Sequence, residues 1–178
     1  MKRVFLTAGP RGAGKSTLCE KAALTSSDIQ LISRDNILVE LFGQSSFSPY
    51  DGPYPFIAAY EKALGLLTQA FAAGNIIPLF DYWNGTSVER KKLIASLKEC
   101  GAEEVSCLYF TTPLETTLEW FKSKEDRGVM YIESSVTDCY NRYHKEAESI
   151  KTDGFNSVHT IDGTKMSTEG FVQLLKAG

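Results

Sequence analysis

Residues 2–17, KRVFLTAGPRGAGKST, constrain what this chain can fold into more than any other stretch. Val4, Phe5 and Leu6 are a short apolar run suited to a buried strand. Thr7 and Ala8 lead into Gly9-Pro10-Arg11-Gly12-Ala13-Gly14-Lys15-Ser16, which satisfies G-x-x-x-x-G-K-[ST] at each fixed position. Thr17 to Leu24 then reads as helix. Strand, glycine loop and helix in that order make a phosphate cradle. Glycines let backbone N–H groups curl around phosphate oxygens without Cβ clashes, and the helix N-terminus adds positive potential. Lys15 has the reach for β- and γ-phosphates, and the Ser16 hydroxyl is a ligand for Mg²⁺. A glycine-rich turn with a chance lysine would not need this context on both sides. The residues expected at the nucleotide are Gly9, Arg11, Gly12, Ala13, Gly14, Lys15, Ser16 and Thr17.

The remaining 161 positions alternate between strand and helix patterns, counting from the end of that stretch at Thr17 in a chain of 178. Ile29 to Ser33 predicts a second strand, and Ile37 to Phe42 a short helix stopped by Gly43. Ser45 to Pro55, with three prolines, reads as a loop. Phe56, Ala59, Tyr60, Ala63, Leu64, Leu67 and Phe71 recur at helical spacing, with Gly74 as the C-cap glycine. Ile76 to Asp81 predicts a third strand, although Pro78 prefers a sheet edge or a bulge. Thr86-Ser87-Val88-Glu89 and Thr112-Pro113-Leu114-Glu115 read as capping boxes for two further helices. Glu104 to Phe110 and Val158 to Asp162 predict strands four and five; Ser135 to Ile150 and Ser167 to Ala177 predict helices. The expected fold is α/β: about five mostly parallel strands, helices on both faces, and a small helical lid at about 122–135, in a single domain spanning 1–178.

Hydrophobic content of 43% and charged content of 23% are those of an ordinary soluble globular domain. A net charge of −3 argues against broad nucleic-acid affinity, which leaves a basic footprint. Cys19, Cys100, Cys107 and Cys139 lack metal-ligand spacing and read as reduced thiols of a cytoplasmic protein. No stretch has the length of a membrane span, and the N-terminus does not read as a signal peptide.

Three groups besides the loop stand where chemistry is expected. Arg34-Asp35 follows the second strand, and strand carboxyl ends face the ligand crevice of an open α/β sheet. Asp35 there either takes the proton of an attacking hydroxyl, with Arg34 holding an anionic group, or simply N-caps the next helix. Asp81 ends the third strand and serves Mg²⁺, the acceptor, or the turn that follows. Arg127-Gly128, with Lys122 and Lys124, is either a closing lid that brings a cation to the transferring phosphoryl or a solvated charge run; Arg142 is a second candidate for that cation. Trp83, Tyr50 and Tyr54 are loop aromatics, for stacking or for packing. Base-reading N-K-x-D motifs of G proteins are absent, and the chain is shorter than motor ATPases require.

Taken in order, these residues resemble the P-loop kinase group that includes polynucleotide 5′-hydroxyl kinases, and more distantly zeta-toxin-like and antibiotic phosphotransferase enzymes. The likeness runs from Gly9–Thr17 through Ile32-Ser33-Arg34-Asp35, Phe80-Asp81, Glu89-Arg90, Leu108 to Glu115, and Arg127-Gly128 to Asp153-Gly154-Phe155-Asn156-Ser157-Val158. It implies an ATP- and Mg²⁺-dependent phosphotransferase with an alcohol acceptor. Lys15, Asp35 and Arg127 would be catalytic, Ser16 and Asp81 would hold the metal, and Arg34, Asp35 and Asp81 would face the acceptor. The expected acceptor is a polynucleotide or nucleoside 5′-hydroxyl. A small-molecule alcohol such as a sugar or antibiotic, or an ATPase or regulatory module without an acceptor, are the alternatives. Two departures bear on the acceptor: Leu38 stands where polynucleotide kinases often carry arginine, and Ser45 to Pro55 reads differently.

Overall fold

Apolar runs bounded by turn residues become five strands in the computed structural model, which describes residues 1–123 and 133–177. They are β1 (Arg3–Ala8), β2 (Ile29–Ser33), β3 (Ile77–Asp81), β4 (Glu104–Phe110) and β5 (Ser157–Ile161). The sheet order is β2-β3-β1-β4-β5 and every pairing is parallel. The helices are α1 (Lys15–Thr25), α2 (Arg34–Phe42), α3 (Tyr54–Ala73), α4 (Ser87–Glu99), α5 (Leu114–Ser123), α6 (Glu133–Lys145), α7 (Ala147–Thr152) and α8 (Thr168–Ala177). A 3-10 turn at Pro49–Asp51 breaks the loop before α3.

Parallel strands need both faces covered, and β1 shows how alternation achieves it. Val4 and Leu6 pack with Ala63 and Leu67 of α3 and Leu93 and Leu97 of α4. Phe5 turns to the other face, with Leu18 and Cys19 of α1 and Phe171 and Leu175 of α8. β1 is central, so the loop that follows it leaves the sheet between its two wings. That is the point where strand order reverses, and ligands of open α/β sheets gather there.

Several local expectations change in three dimensions. β3 is an interior strand despite Pro78. Ile77 N–H donates to Asp28 on the β2 side, so the next residue turns its nitrogen toward β1, whose pairing starts only at Phe5 with Leu79. Ser33, not Asp35, caps α2, its hydroxyl accepting from Asn36 N–H. The box at Thr86 and Glu89 forms as expected. Thr112 instead donates to the Ala13 carbonyl at 2.9 Å and accepts from Gly163 N–H at 3.1 Å. The Ser135 to Ile150 run is two helices, α6 and α7.

Arg90, on α4, is fully buried. Its guanidinium reaches Asp153, Glu146, Ser149 and the Asn84 carbonyl. Asp153 also accepts from the Ser87 hydroxyl. Glu146 is held below the usual carboxylate range, chiefly by the Ser149 hydroxyl and by the Ser87 N–H and Arg90 beside it. This cluster fixes α6 and α7 to α4. Removing one partner leaves a buried charge uncompensated, so Asp153→Ala should lower stability by about 3–5 kcal/mol in urea unfolding, and the apolar pair Arg90→Met with Asp153→Leu should cost less than that single change.

Candidate active site

The glycine loop is pressed onto β4 and α5 with no room for side chains. Gly9, Gly12 and Gly14 have φ of +137°, +81° and +86°. A Cβ on them would stand 2.7 Å from the Phe110 carbonyl oxygen, 2.9 Å from that of Thr117, and 2.8 Å from the Trp120 ring. α1 opens directly from Gly14 with no side-chain cap and no acid in its first turn, so its leading N–H groups remain for an anionic ligand. Lys15 Nζ spans the loop, donating to the Gly9 carbonyl at 2.9 Å and the Pro10 carbonyl at 2.8 Å. Burial pulls its ammonium below the ordinary value, with the charge of Asp81 opposing the shift.

Strand register brings the second element in. β3 runs one step beyond Leu6 and Phe80 to set Asp81 beside Thr7, and β2 sets Ser33 opposite Asp81. Asp81 then bridges the sheet to the loop. Its Oδ1 accepts from the Thr7 hydroxyl at 2.6 Å, and its Oδ2 accepts from the Ser16 hydroxyl at 3.1 Å. Asn84 fixes this junction from below, donating to the carbonyls of Thr7 and Tyr82 and accepting from the buried Tyr143 hydroxyl. Burial pushes Tyr143 above its ordinary value, so it stays a neutral donor.

Asp35 sits in the first turn of α2, and Arg34 donates through Nε and Nη2 to its Oδ1 at 2.9 and 2.7 Å. Asp35 Oδ2 has no protein partner among the described residues. Arg34, Asp35, Asp81, Lys15, Ser16 and Arg11 line one cleft of about 230 Å³, walled by Tyr82, Trp83, Ser45 and Ser46. The structure thus gathers the phosphate loop and both strand-end acids at one opening. Arg127 lies outside the described residues, as does most of the expected lid. Arg142 stacks over the Trp83 ring, 5.9 Å from its centre. Tyr50 and Tyr54 are exposed, and neither lines the cleft.

A second cavity of about 530 Å³ opens on the other side of the loop, along Gly14, Thr17, Trp120, Gly163, Met166 and Thr168. Sequence reasoning missed Trp120, which sits among the charged and polar residues of α5 and carries no motif. It also missed Thr7 and Asn84, whose roles depend on a strand register that no local pattern encodes. The Arg11 N–H donates to Cys139 Sγ at 3.4 Å, a contact between the loop and α6.

The Ser16 hydroxyl and Asp81 carboxylate form a hard-oxygen pair, which suits Mg²⁺ because that ion keeps waters and phosphate oxygens as its other ligands. No cluster of three or more His, Cys, Asp or Glu residues exists among the described residues to make an all-protein metal cage. Nor is any described helix long and apolar enough to cross a membrane.

Residues 4–156 match the AAA domain family. No curated protein matches the chain. It superposes on a chain of the Pnkp1/Rnl/Hen1 RNA repair complex with TM-score 0.68 and 16% identity, over 83% of this chain and 45% of that one. This chain therefore spans less than half the length of that relative. Shikimate kinase from Acinetobacter baumannii, in complex with shikimate, superposes with TM-score 0.61 and 17% identity, over 99% and 91% of the two chains. The tunicamycin resistance protein of Deinococcus radiodurans gives 0.57 and 17%, over 99% and 95%. The fold is that of P-loop kinases.

A lowered ammonium pKa means that the folded chain binds this proton less tightly than the unfolded chain does. The Lys15 charge therefore opposes folding below the lowered value, and the opposition fades as pH rises toward 10.5. Free Lys15→Met should melt at or above the parent's temperature near neutral pH, with the difference shrinking as pH rises. The same variant should bind ATP at least about tenfold more weakly in a fluorescence titration, since charged hydrogen bonds to phosphate are lost.

Proposed function

Since the chain belongs to the AAA domain family, we propose that it is a kinase that moves the γ-phosphoryl group of ATP to a hydroxyl acceptor. One observation carries the reading: Asp35, with an oxygen that has no partner among the described residues, opens into the same cleft as Lys15, Ser16 and Asp81. A nucleotide-binding module would need the loop but not a strand-end carboxylate facing it. The fold shared with shikimate kinase supports the same reading.

The donor lies along the loop. Backbone N–H groups of Gly12 to Ser16 and the Lys15 ammonium hold the phosphates. The second cavity takes ribose and base, with the Trp120 ring as the flat wall. Mg²⁺ held by Ser16 and Asp81 would offset phosphate charge as it builds on the leaving group. Both Asp81 oxygens are committed to Thr7 and Ser16, which supports a metal-side role over an acceptor-side one.

The acceptor enters from the Asp35 side. Its hydroxyl oxygen forms a bond to the γ-phosphorus while the bond from that phosphorus to the β,γ-bridging oxygen breaks. The hydroxyl proton passes to Asp35 Oδ2, and ADP leaves with the bridging electron pair. Arg34 holds the carboxylate in place through Oδ1, leaving Oδ2 for the proton. Arg127, in a lid at about 122–135 of a single 1–178 domain, is the proposed cation for the equatorial oxygens of the phosphoryl. Four thiols without disulfides fit a cytoplasmic setting.

Asp35→Asn should cut label transfer from γ-labelled ATP by about 10²–10⁴-fold while ATP affinity stays within about threefold of the parent. Intact transfer in that variant would show that Asp35 is not the base. Trp120→Ala should do the reverse, raising the KM for ATP with little change in kcat.

A further inference from the structure

The acceptor end of the cleft carries one arginine among the described residues, and its charge is already matched. Arg34 gives two hydrogen bonds to Asp35. Arg11 and Lys15 line the same cleft from the glycine loop, and Arg142 lies over Trp83 without lining the cleft. Among the described residues at that end, no excess positive charge is therefore left to meet an anionic acceptor. A strand of nucleic acid needs a row of cations along its phosphates, and the chain as a whole carries a net charge of −3. Leu38, on the turn of α2 that follows Asp35, is fully buried in the core, so this helix offers no second acceptor-side cation there.

What the acceptor end does present is hydroxyls and aromatic rings. Ser45 and Ser46 line it and have no protein hydrogen-bond partner among the described residues. Trp83 and Tyr82 line the cleft as well, and both rings are held by other residues. Trp83 Nε1 donates to Glu89 at 2.9 Å and its ring meets Tyr143 edge-on; Tyr82 stacks on Phe80 and its hydroxyl donates to the Phe56 carbonyl. Rigid ring faces beside free hydroxyls suit a ligand with apolar C–H faces and a polar equator. The volume of about 230 Å³ is below the ~300–1,000 Å³ of pockets for drug-sized ligands.

From these observations, and resting on the kinase reading above, we infer that the acceptor is a small, uncharged polyhydroxylated ring compound of the sugar, cyclitol or nucleoside kind. It sits on Trp83 and Tyr82, hydrogen-bonds Ser45 and Ser46, and offers one hydroxyl to Asp35. The lack of unmatched positive charge among the described residues at that end disfavours the end of a polynucleotide or a phosphorylated sugar.

Matched pairs that differ in charge test this. Label transfer from γ-labelled ATP by the full chain is measured for glucose and glucose 6-phosphate, myo-inositol and inositol 1-phosphate, adenosine and adenosine 3′-monophosphate, and a ten-residue 5′-hydroxyl oligothymidylate. The expected result is transfer to at least one neutral probe, tenfold or more above its charged partner and above the oligonucleotide. Preference for a charged partner or for the oligonucleotide overturns the inference and leaves the kinase reading standing. Transfer to no probe, with ATP binding that Lys15→Met abolishes, overturns the kinase reading itself. Ser46→Lys, on an exposed loop, should narrow the neutral-to-charged ratio at least fivefold; an unchanged ratio removes Ser46 from the acceptor site.

Discussion

Close approach of bare backbone to its neighbours is the constraint on which this structure depends. Gly9, Gly12 and Gly14 each occupy a positive φ and each face an atom within 3 Å of where a Cβ would stand. The loop can therefore be clamped against Phe110, Thr117 and Trp120. Gly163 adds a fourth contact, since its missing Cβ makes room for the Thr112 hydroxyl that ties the loop's Ala13 to the β5–α8 connection. A cradle for phosphate must be rigid before the ligand arrives, because ordering it afterwards would cost binding free energy. Packing without side chains provides that rigidity.

Behind the loop stands a second tier made of polar groups. Asp81 joins β3 to β1 and to α1 through two hydroxyls, Asn84 joins the ends of β1 and β3, and Tyr143 joins Asn84 to α6. Arg90 then joins Asn84 to Glu146 at the α6–α7 junction and to Asp153 at the end of α7. Every described side-chain polar atom in this buried region has a partner. A buried network of this kind holds a geometry when it is complete and penalises any partial version of it. Ser16 of the loop and Asp81 are thereby set by one continuous set of contacts.

How far this was legible in sequence follows from the range of the interactions. The strand-loop-helix at residues 2–17 is a local pattern, and the loop, the strand count and the alternation all read from it and from periodicity. Asp35 and Asp81 were legible because a carboxylate just after an apolar run needs only the rule about strand ends. Pro78 misled because its effect depends on which neighbour its nitrogen faces, and that requires sheet order. Thr112 misled because a hydroxyl three residues before a glutamate looks the same whether it caps its own helix or crosses to Ala13, 99 positions away. The burial of Asn84 and Arg90 gave no signal, since burial of a polar side chain is set by partners in distant segments.

The two ends of the cleft differ for the same reason. Phosphate is one ligand with one geometry, so its site recurs as one motif. On the proposed reading, an acceptor would be recognised by whatever side chains surround Asp35, with no single backbone motif to mark them. The resemblance to polynucleotide kinases has a departure at α2. There Leu38 fills the core between β2 and α3, and a cation at that position would lie buried without a partner at a cost of several kcal/mol. Packing in this chain buries that position in the core.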